Sequence, residues 1–168
     1  MRALLATLCL AFLSSCAGYQ WGGNKPTHLG NVETIHVPLA KTRVIFPRVE
    51  PLTTSSVVDA LVNDGTYTIG TPNKTDAALY LTVDSIEYRQ TRSSRDDVLR
   101  SEELELEISI SFKLIDSMNP GTPLEAGRVR GETRFFVGGN QQTARANALH
   151  DAIRRASIDL VSQLSDGL

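Results

Sequence analysis

Strict alternation of apolar and polar residues is the strongest structural pattern in this chain. Between Leu104 and Leu114 every second residue is apolar, and glutamate, serine or lysine stands between them. Successive side chains of a strand point to opposite faces, so this pattern predicts a strand with one buried and one wet face. Similar patterns predict strands from Ala77 to Tyr88 and from Ala126 to Val137. We expect the last of these to form an antiparallel hairpin with the 104–114 strand.

Shorter segments complete the predicted elements. Val32 to Val37 and Thr66 to Gly70 each have the character of a short strand. Between them, Thr53 or Thr54 can cap a helix that runs to about Asn63. A final helix, capped by Asn140 or Thr143, is predicted from apolar residues at helical spacing. Small residues on its apolar face let it lie close to the sheet: Ala148, Ala152 and Ala156.

These elements predict an α+β fold with the order β-α-β-β-β-α. The first helix connects segments that are far enough apart for a parallel crossover, and the later strands pair antiparallel. Each sheet face and each helix stripe needs cover. We therefore expect a two-layer sandwich, with two helices packed on a mostly antiparallel, four-stranded mixed sheet.

A short apolar run near the start ends in a cysteine. Arg2, about ten apolar residues and then small residues are typical of a secretory signal peptide, and the run is too short to span a bilayer. The ending Leu13-Ser14-Ser15-Cys16 resembles the lipobox of bacterial lipoproteins, which implies cleavage before Cys16 and acylation of that residue. The alternative is that a cysteine happens to end an ordinary leader. We expect a lipoprotein signal peptide at 1–15, a lipidated tether at 16–30 and a single α+β domain at 31–168.

Composition and motifs argue against several function classes. The chain has 17 Lys+Arg and 19 Asp+Glu, so no strong field for nucleic acid is expected. Cys9 leaves with the leader and Cys16 carries lipid, so we expect no disulfide or thiol chemistry in the mature domain. No sequence motif of a hydrolase, a phosphate loop or a zinc protease is found, and the three histidines lack metal-ligand spacing. We expect a protein that is not an enzyme and needs neither cofactor nor metal.

Charged residues on the wet faces of the predicted strands allow two interpretations. One is a cross-strand ladder of opposite charges, each pair contributing about 0.2–1 kcal/mol. The other is a site for an anionic partner, because guanidinium groups bind phosphates in a bidentate manner. The sequence does not determine the register, and the two can coexist. The residues concerned are Glu103, Glu105, Glu107, Arg89, Arg92, Arg95, Arg128, Arg130 and Arg134.

A succession of weak motifs resembles one family along nearly the whole mature chain. The start Cys16-Ala17-Gly18-Tyr19-Gln20-Trp21-Gly22 is similar to a Cys-Gly-Tyr start with one extra residue. Further similar motifs are His36-Val37-Pro38, Leu52-Thr53, Ala60-Leu61 and Thr75-Asp76-Ala77-Ala78-Leu79. Together with the order of elements they resemble the LptE family of LPS-assembly lipoproteins. Lys41-Thr42 stands where the family usually has Asn-x-Thr.

The resemblance implies an outer-membrane lipoprotein on the periplasmic side or in a barrel lumen. Such a protein plugs an LptD-type β-barrel, assists its assembly and helps to deliver lipopolysaccharide to the outer leaflet. The implied partners are that barrel, lipopolysaccharide, and the membrane through acyl chains on Cys16, with no nucleic acid. Hypothetical contacts for lipopolysaccharide phosphates, chosen by charge and placement, are Arg89, Arg92, Arg128, Arg130 and Arg134. The alternatives are an auxiliary lipoprotein of an envelope lipid ABC-transport system and an envelope hydrolase with an unrecognised site.

Overall fold

The computed structural model describes residues 25–92, 102–137 and 140–166. A short 3-10 turn at Thr27–Leu29 precedes the first strand. The remaining elements follow in chain order: β1 (Thr34–His36), β2 (Lys41–Thr42), α1 (Val49–Asp64), β3 (Thr68–Ile69), β4 (Ala77–Arg92), β5 (Glu102–Asp116), β6 (Pro123–Val137) and α2 (Gln141–Asp166).

The described strands form one mixed sheet in the order β3-β1-β4-β5-β6, and β2 pairs with the outer part of β4. β1 runs parallel to both β3 and β4, whereas β4, β5 and β6 are antiparallel neighbours. The connection from β1 through α1 to β3 is therefore the parallel crossover that the sequence predicts. The predicted hairpin of β5 and β6 is present too, with Ile110 opposite Val129.

The predicted number of strands is wrong. The described sheet has six strands rather than four. The sequence contains five segments of strand character, but the predicted order includes only four strands. β2 and β3 contain two residues each. Two residues are too few to show alternation, so β2 has no signal of its own in the sequence.

The core lies between the sheet and the helix layer. Apolar side chains of β5 point into it, and those from Leu106 to Leu114 are almost completely buried. α2 packs on β6 and β5 and also contacts α1. The alanines predicted to face the sheet, Ala148, Ala152 and Ala156, are buried, so the close approach of this helix is confirmed.

The first helix begins earlier than predicted. α1 starts at Val49, and Thr53 lies inside it, fully buried, rather than at its cap. Pro51 falls in the first turn, where proline is tolerated because no intrahelical bond from its nitrogen is needed there. The end was predicted correctly: Gly65, with a φ of 76°, donates its amide to the carbonyl of Leu61 at 3.0 Å.

The final residues of the predicted tether pack against the domain. Leu29 is fully buried, so the expectation that this segment stays outside the core is wrong at that residue. The Nζ atom of Lys25 donates to the carbonyl of Val32 at 3.0 Å and lies 4.9 Å from the ring centre of Tyr67. The Gly-rich composition of this segment gave no indication that Leu29 is buried.

Candidate functional site

The sheet face that points away from both helices is mainly polar, with the exposed rings of Tyr80 and Phe136 among its charged and hydroxyl groups. We call it the outer sheet face; it is formed by the alternate residues of β4, β5 and β6 whose side chains oppose the core. Its described members include Asp84, Glu105, Glu107, Ser111, Arg89, Arg128, Arg130 and Arg134. Because the long strands pair in register, glutamates of β5 stand beside arginines of both neighbours.

One cluster on this face is centred on Asp84. A bulge between Val83 and Ser85 interrupts the pairing of β4 with β5 at this residue. The Asp84 carboxylate accepts a hydrogen bond from Arg43 at 2.9 Å and another from the hydroxyl of Ser111. The Nε atom of Arg128 lies 3.3 Å from the same carboxylate. With only 11 % of its side chain exposed, Asp84 is a largely buried anion between two cations.

Three more ion pairs continue the line of charges. Glu107 lies 3.3 Å from Arg89 and 3.9 Å from Arg130, which come from the strands on either side. Glu105 accepts a hydrogen bond from the Nε atom of Arg134 at 2.9 Å. This hydrogen bond raises the pKa of Arg134 above its ordinary value.

The cross-strand ladder is thus the arrangement of the described charges. The carboxylates of the ladder are largely buried, whereas its guanidinium groups remain more than half exposed. The backbone of Arg92 pairs with Glu103, whereas the side chain of Arg92 and the whole of Arg95 lie outside the described residues. Cys16, the predicted lipidation site, also lies outside them. Binding of an anionic ligand by the arginines stays a prediction.

The described part of the chain shows no arrangement of ligands for a metal. No group of three or more histidine, cysteine, aspartate or glutamate residues is placed to bind an ion there. Within the same residues, no helix has both the length and the apolar character needed to cross a membrane.

A family model described as "LptE: Lipopolysaccharide-assembly" matches residues 32–166, which is most of the chain. The chain belongs to the LptE family. The resemblance inferred from its motifs is therefore confirmed, and membership makes it a lipopolysaccharide-assembly protein of the cell envelope at the level of its family. No curated protein matches this chain.

Solved structures similar to this LptE-family chain agree with its fold. A lipoprotein B from Nitrosomonas europaea is 16% identical with a TM-score of 0.55, and the match covers 88% of this chain and 90% of that one. The PelC dodecamer from Paraburkholderia phytofirmans is 15% identical with a TM-score of 0.53, covering 85% and 94%. At such low identity the likeness concerns the fold alone.

The sequence reasoning missed a pocket on the helix side of this LptE-family domain. It has a volume of about 920 Å³ and lies between the segment before α1, the first turns of both helices, and Tyr88 of β4. Leu149 is buried beneath it, and Phe46 and Leu52 are half-buried along it. We call it the arginine-rimmed pocket, because Arg48 and Arg145 are exposed at its edge.

Two aromatic contacts form one wall of the arginine-rimmed pocket. The ring of Tyr88 packs edge-on against Phe135, with 6.4 Å between the ring centres. The guanidinium of Arg145 lies 5.3 Å from the centre of the Tyr88 ring. Burial raises the pKa of Tyr88, and the charge of Arg145 partly opposes that effect. A signal for this site exists in the sequence, because Arg145 precedes Leu149 by four positions and so shares its helix face.

Proposed function

We propose that this chain is an outer-membrane lipoprotein that plugs an LptD-type β-barrel, assists its assembly and helps to deliver lipopolysaccharide to the outer leaflet. Membership of the LptE family, carried by the match over residues 32–166, supports the proposal most directly. The outer sheet face supports it in physical terms, because the lumen of large membrane barrels is polar.

The ladder makes that face suitable for enclosure. Removing a charged group from water costs free energy unless the group is paired and hydrogen-bonded. Removing one member of a buried pair costs more, because the other charge is then left without a partner. Here the sheltered carboxylates Asp84, Glu105 and Glu107 already have arginine partners within the domain. A polar barrel wall can therefore cover the face without isolating any of these anions. At about 3.3 Å per residue, the long strands extend the face over roughly 50 Å.

Lipidation of Cys16 would hold one end of the domain at the membrane. Between Cys16 and Lys25 an extended chain reaches at most about 30 Å. Lys25 itself is bound to the domain through the carbonyl of Val32 and the ring of Tyr67. The acyl chains would thus keep the end of the domain that carries Lys25 close to the bilayer, consistent with a place on the periplasmic side or in the lumen.

The proposed lipopolysaccharide contacts must share their arginines with the ladder. A guanidinium offers five N–H donors, and Arg134 uses its Nε atom for Glu105. With 64% of that side chain exposed, its remaining donors are free to reach a phosphate. The same argument holds for Arg89, Arg128 and Arg130, which are more than half exposed. The side chain of Arg92 is proposed on charge alone.

Affinity purification of the tagged, lipidated chain from detergent-solubilised outer membranes tests the main proposal. We expect a barrel of the LptD type to co-elute stoichiometrically and to persist through high salt. An inner-membrane transporter subunit in its place would favour the auxiliary lipoprotein of a lipid ABC-transport system. Recovery of the chain without any barrel would overturn the plug.

Site-specific photocross-linking tests which face meets the barrel. A photoreactive residue at Lys113, exposed on the outer sheet face, should cross-link to the barrel in intact cells. The matched control is Asp159, which is equally exposed but lies on α2 in the helix layer. Cross-links from Asp159 and not from Lys113 would contradict the proposal, because the barrel would then contact the helix layer and not the outer sheet face.

Neutral substitutions test the lipopolysaccharide contacts without inverting the ladder. Replacing Arg89, Arg128, Arg130 and Arg134 together with glutamine should lower the affinity of the purified lipoprotein for lipopolysaccharide by at least about tenfold. Arg154→Gln with Arg155→Gln is the matched control, because both arginines form ion pairs on α2. Unchanged binding in the quadruple variant, with the fold intact by circular dichroism, would remove these residues as contacts.

A further inference from the structure

Two arginines differ from all the others whose side chains the structure describes. Seven described arginines have a carboxylate within 4 Å, on the outer sheet face or on α2. Arg48 and Arg145 have no such partner among the described residues, and both line the arginine-rimmed pocket. The two arginines without a carboxylate partner therefore lie together where the surface is also concave and apolar, whereas the described lysines, which likewise have no described carboxylate within 4 Å, lie elsewhere.

The backbone at Arg48 strengthens this observation. Its φ of 61° and ψ of 16° place it in the left-handed region, which is unfavourable for residues other than glycine. No hydrogen bond from the Arg48 side chain to the described part of the chain compensates for this conformation. An arginine at a position that favours glycine points to a use for the side chain outside the folding of the domain.

A second groove of similar size has the opposite charge. It lies between the two helices and has a volume of about 910 Å³. Its lining carries one arginine, Arg154, which is paired with Asp151, and several carboxylates: Asp59, Asp64, Asp151 and Asp166. An anionic ligand would be repelled there, whereas the arginine-rimmed pocket has no acidic residue in its lining.

We propose that the arginine-rimmed pocket binds an acyl chain of a phosphate-bearing lipid. The chain lies against Leu52 and Leu149, and Arg48 and Arg145 hold the phosphate. Apolar surface favours the methylenes, and paired guanidinium groups favour the phosphate over a neutral or cationic headgroup. The inference rests on the proposed function only for the biological source of the lipid, because the pocket and the outer sheet face lie on opposite sides of the sheet.

Photolabelling of the full chain in alkyl maltoside micelles tests this site, because that detergent carries no phosphate. The probe is a long-chain alkyl phosphate with a diazirine at the end of its chain, and labelled peptides are mapped by mass spectrometry. We expect labels on the peptides that contain Leu52 and Leu149. Unlabelled alkyl phosphate should compete at least about tenfold better than an alkyl glucoside of the same chain length, because the glucoside lacks the charge.

Four variants separate the parts of the proposal. Arg48→Gly and Arg145→Gln should each weaken the competition by alkyl phosphate about tenfold. Arg48→Gly removes the guanidinium while placing the residue that this φ favours, so the fold is preserved. Ala146→Trp fills the pocket from an exposed helical position and should abolish the labels. Asn147→Trp is the matched control, because its side chain lines the acidic groove instead.

Each contrary result identifies the part that fails. Labels spread over both helices, or equal effects of Ala146→Trp and Asn147→Trp, would overturn the pocket as a lipid site. Equal competition by the glucoside, or unchanged competition in both arginine variants, would overturn phosphate recognition. Co-purification of a barrel with Ala146→Trp keeps the proposed function standing when the pocket fails. Loss of the barrel from the unaltered chain is a failure of the proposed function alone.

Discussion

Gly131 of β6 and Ala152 of α2 are in contact through their backbones. A Cβ atom built on Gly131 would lie 1.9 Å from the carbonyl oxygen of Ala152 and 2.9 Å from the amide nitrogen of Ala156. No side chain can rotate away to relieve such a contact, because the obstructing atoms belong to the helix itself. The glycine on the strand and the alanines on the helix together set the distance between the two layers.

Gly131→Ala should therefore destabilise the domain strongly. The helix has to move away from the sheet by more than an ångström, which opens the packing of Ile108 and its neighbours. Overpacking costs about 1–3 kcal/mol when side chains can adjust, and we expect about 3 kcal/mol here. Urea unfolding followed by circular dichroism measures the change.

The control for this substitution is Gly121→Ala. The nearest atom to a Cβ there is Oδ1 of Asn119 at 3.7 Å, an ordinary contact in an exposed turn. The free energy of unfolding should change by less than about 0.5 kcal/mol. Equal effects at the two glycines would mean that α2 adjusts its position freely and that the close approach is not a constraint.

Asp84→Asn should destabilise the domain more than the loss of an exposed ion pair does. The substitution keeps the shape of the side chain but removes the charge that faces Arg43 and Arg128. Because Asp84 is sheltered while its partners are exposed, we expect a loss of about 1–2 kcal/mol in the free energy of unfolding. Urea titrations at low and high salt measure both the loss and its screening.

Glu87→Gln provides the comparison for Asp84. Glu87 pairs with Arg89 at 3.1 Å, but both side chains are about half exposed. The expected loss is at most about 0.5 kcal/mol. If Asp84→Asn lowers the free energy of unfolding by no more than this, the ladder contributes little to stability. Its ion pairs would then only orient the arginines.

Periodicity in the sequence predicted the long elements because each carries many residues. The apolar positions from Leu106 to Leu114 repeat often enough to identify both faces of β5, and the same argument holds for α2. β2 is too short for any repeat, and it exists because β4 offers an edge position to Thr42. Tertiary pairing, not local pattern, creates it. β3 lies inside the segment that the sequence predicts as a strand, although only two of its residues pair.

The candidate sites follow the same division. Glu105 and Arg134 were recognised as oppositely charged residues on the wet faces of two neighbouring strands. Only the register of the strands was needed to pair them. The arginine-rimmed pocket was missed because Arg48 and Arg145 are 97 residues apart, Arg48 directly before α1 and Arg145 in α2. Pro47 and Pro51 stand close to Arg48, and two prolines so near each other are typical of a loop. No local pattern brings such residues together, so their meeting depends on how α1 and α2 pack.

Acid should remove the contribution of Asp151 to stability. Its carboxylate accepts hydrogen bonds from Arg155 and Arg154, at 2.8 and 2.9 Å, and from Thr133. These bonds lower its pKa from 3.8 to about 2. A lowered pKa in the folded state stabilises the fold above the unfolded value, and this stabilisation is lost as the pH falls from about 4 to about 2.

Asp151→Asn isolates this effect. The variant should be less stable than the unaltered chain by about 1 kcal/mol near neutral pH, a value reduced because both arginines are more than half exposed. The difference should shrink as the pH falls through the window from about 4 to about 2. Urea titrations at a series of pH values measure it, and a difference that is constant with pH would show that the carboxylate charge is not what stabilises the site.

Alkali should act through Tyr67, which joins the segment before β3 to the end of α2. Its hydroxyl donates to the carbonyl of Leu164 at 2.7 Å, and burial, with smaller effects of Asp64 and Glu125, raises its pKa to about 12. A raised pKa stabilises the fold below the unfolded value of about 10, and this stabilisation is lost as the pH rises towards 12.

Tyr67→Phe should cost about 1 kcal/mol near neutral pH, because the Leu164 carbonyl loses its donor. Tyr80→Phe, at an exposed position of the outer sheet face, is the matched control with little effect near neutral pH. The cost of Tyr67→Phe should decrease between about pH 10 and pH 12. Because the pKa of Tyr88 is raised too, the contribution of Tyr67 to tyrosinate absorbance at about pH 11 is obtained as the difference between the folded unaltered chain and folded Tyr67→Phe. Ionisation of that tyrosine at its ordinary pKa would mean that its hydroxyl is not buried against the end of α2.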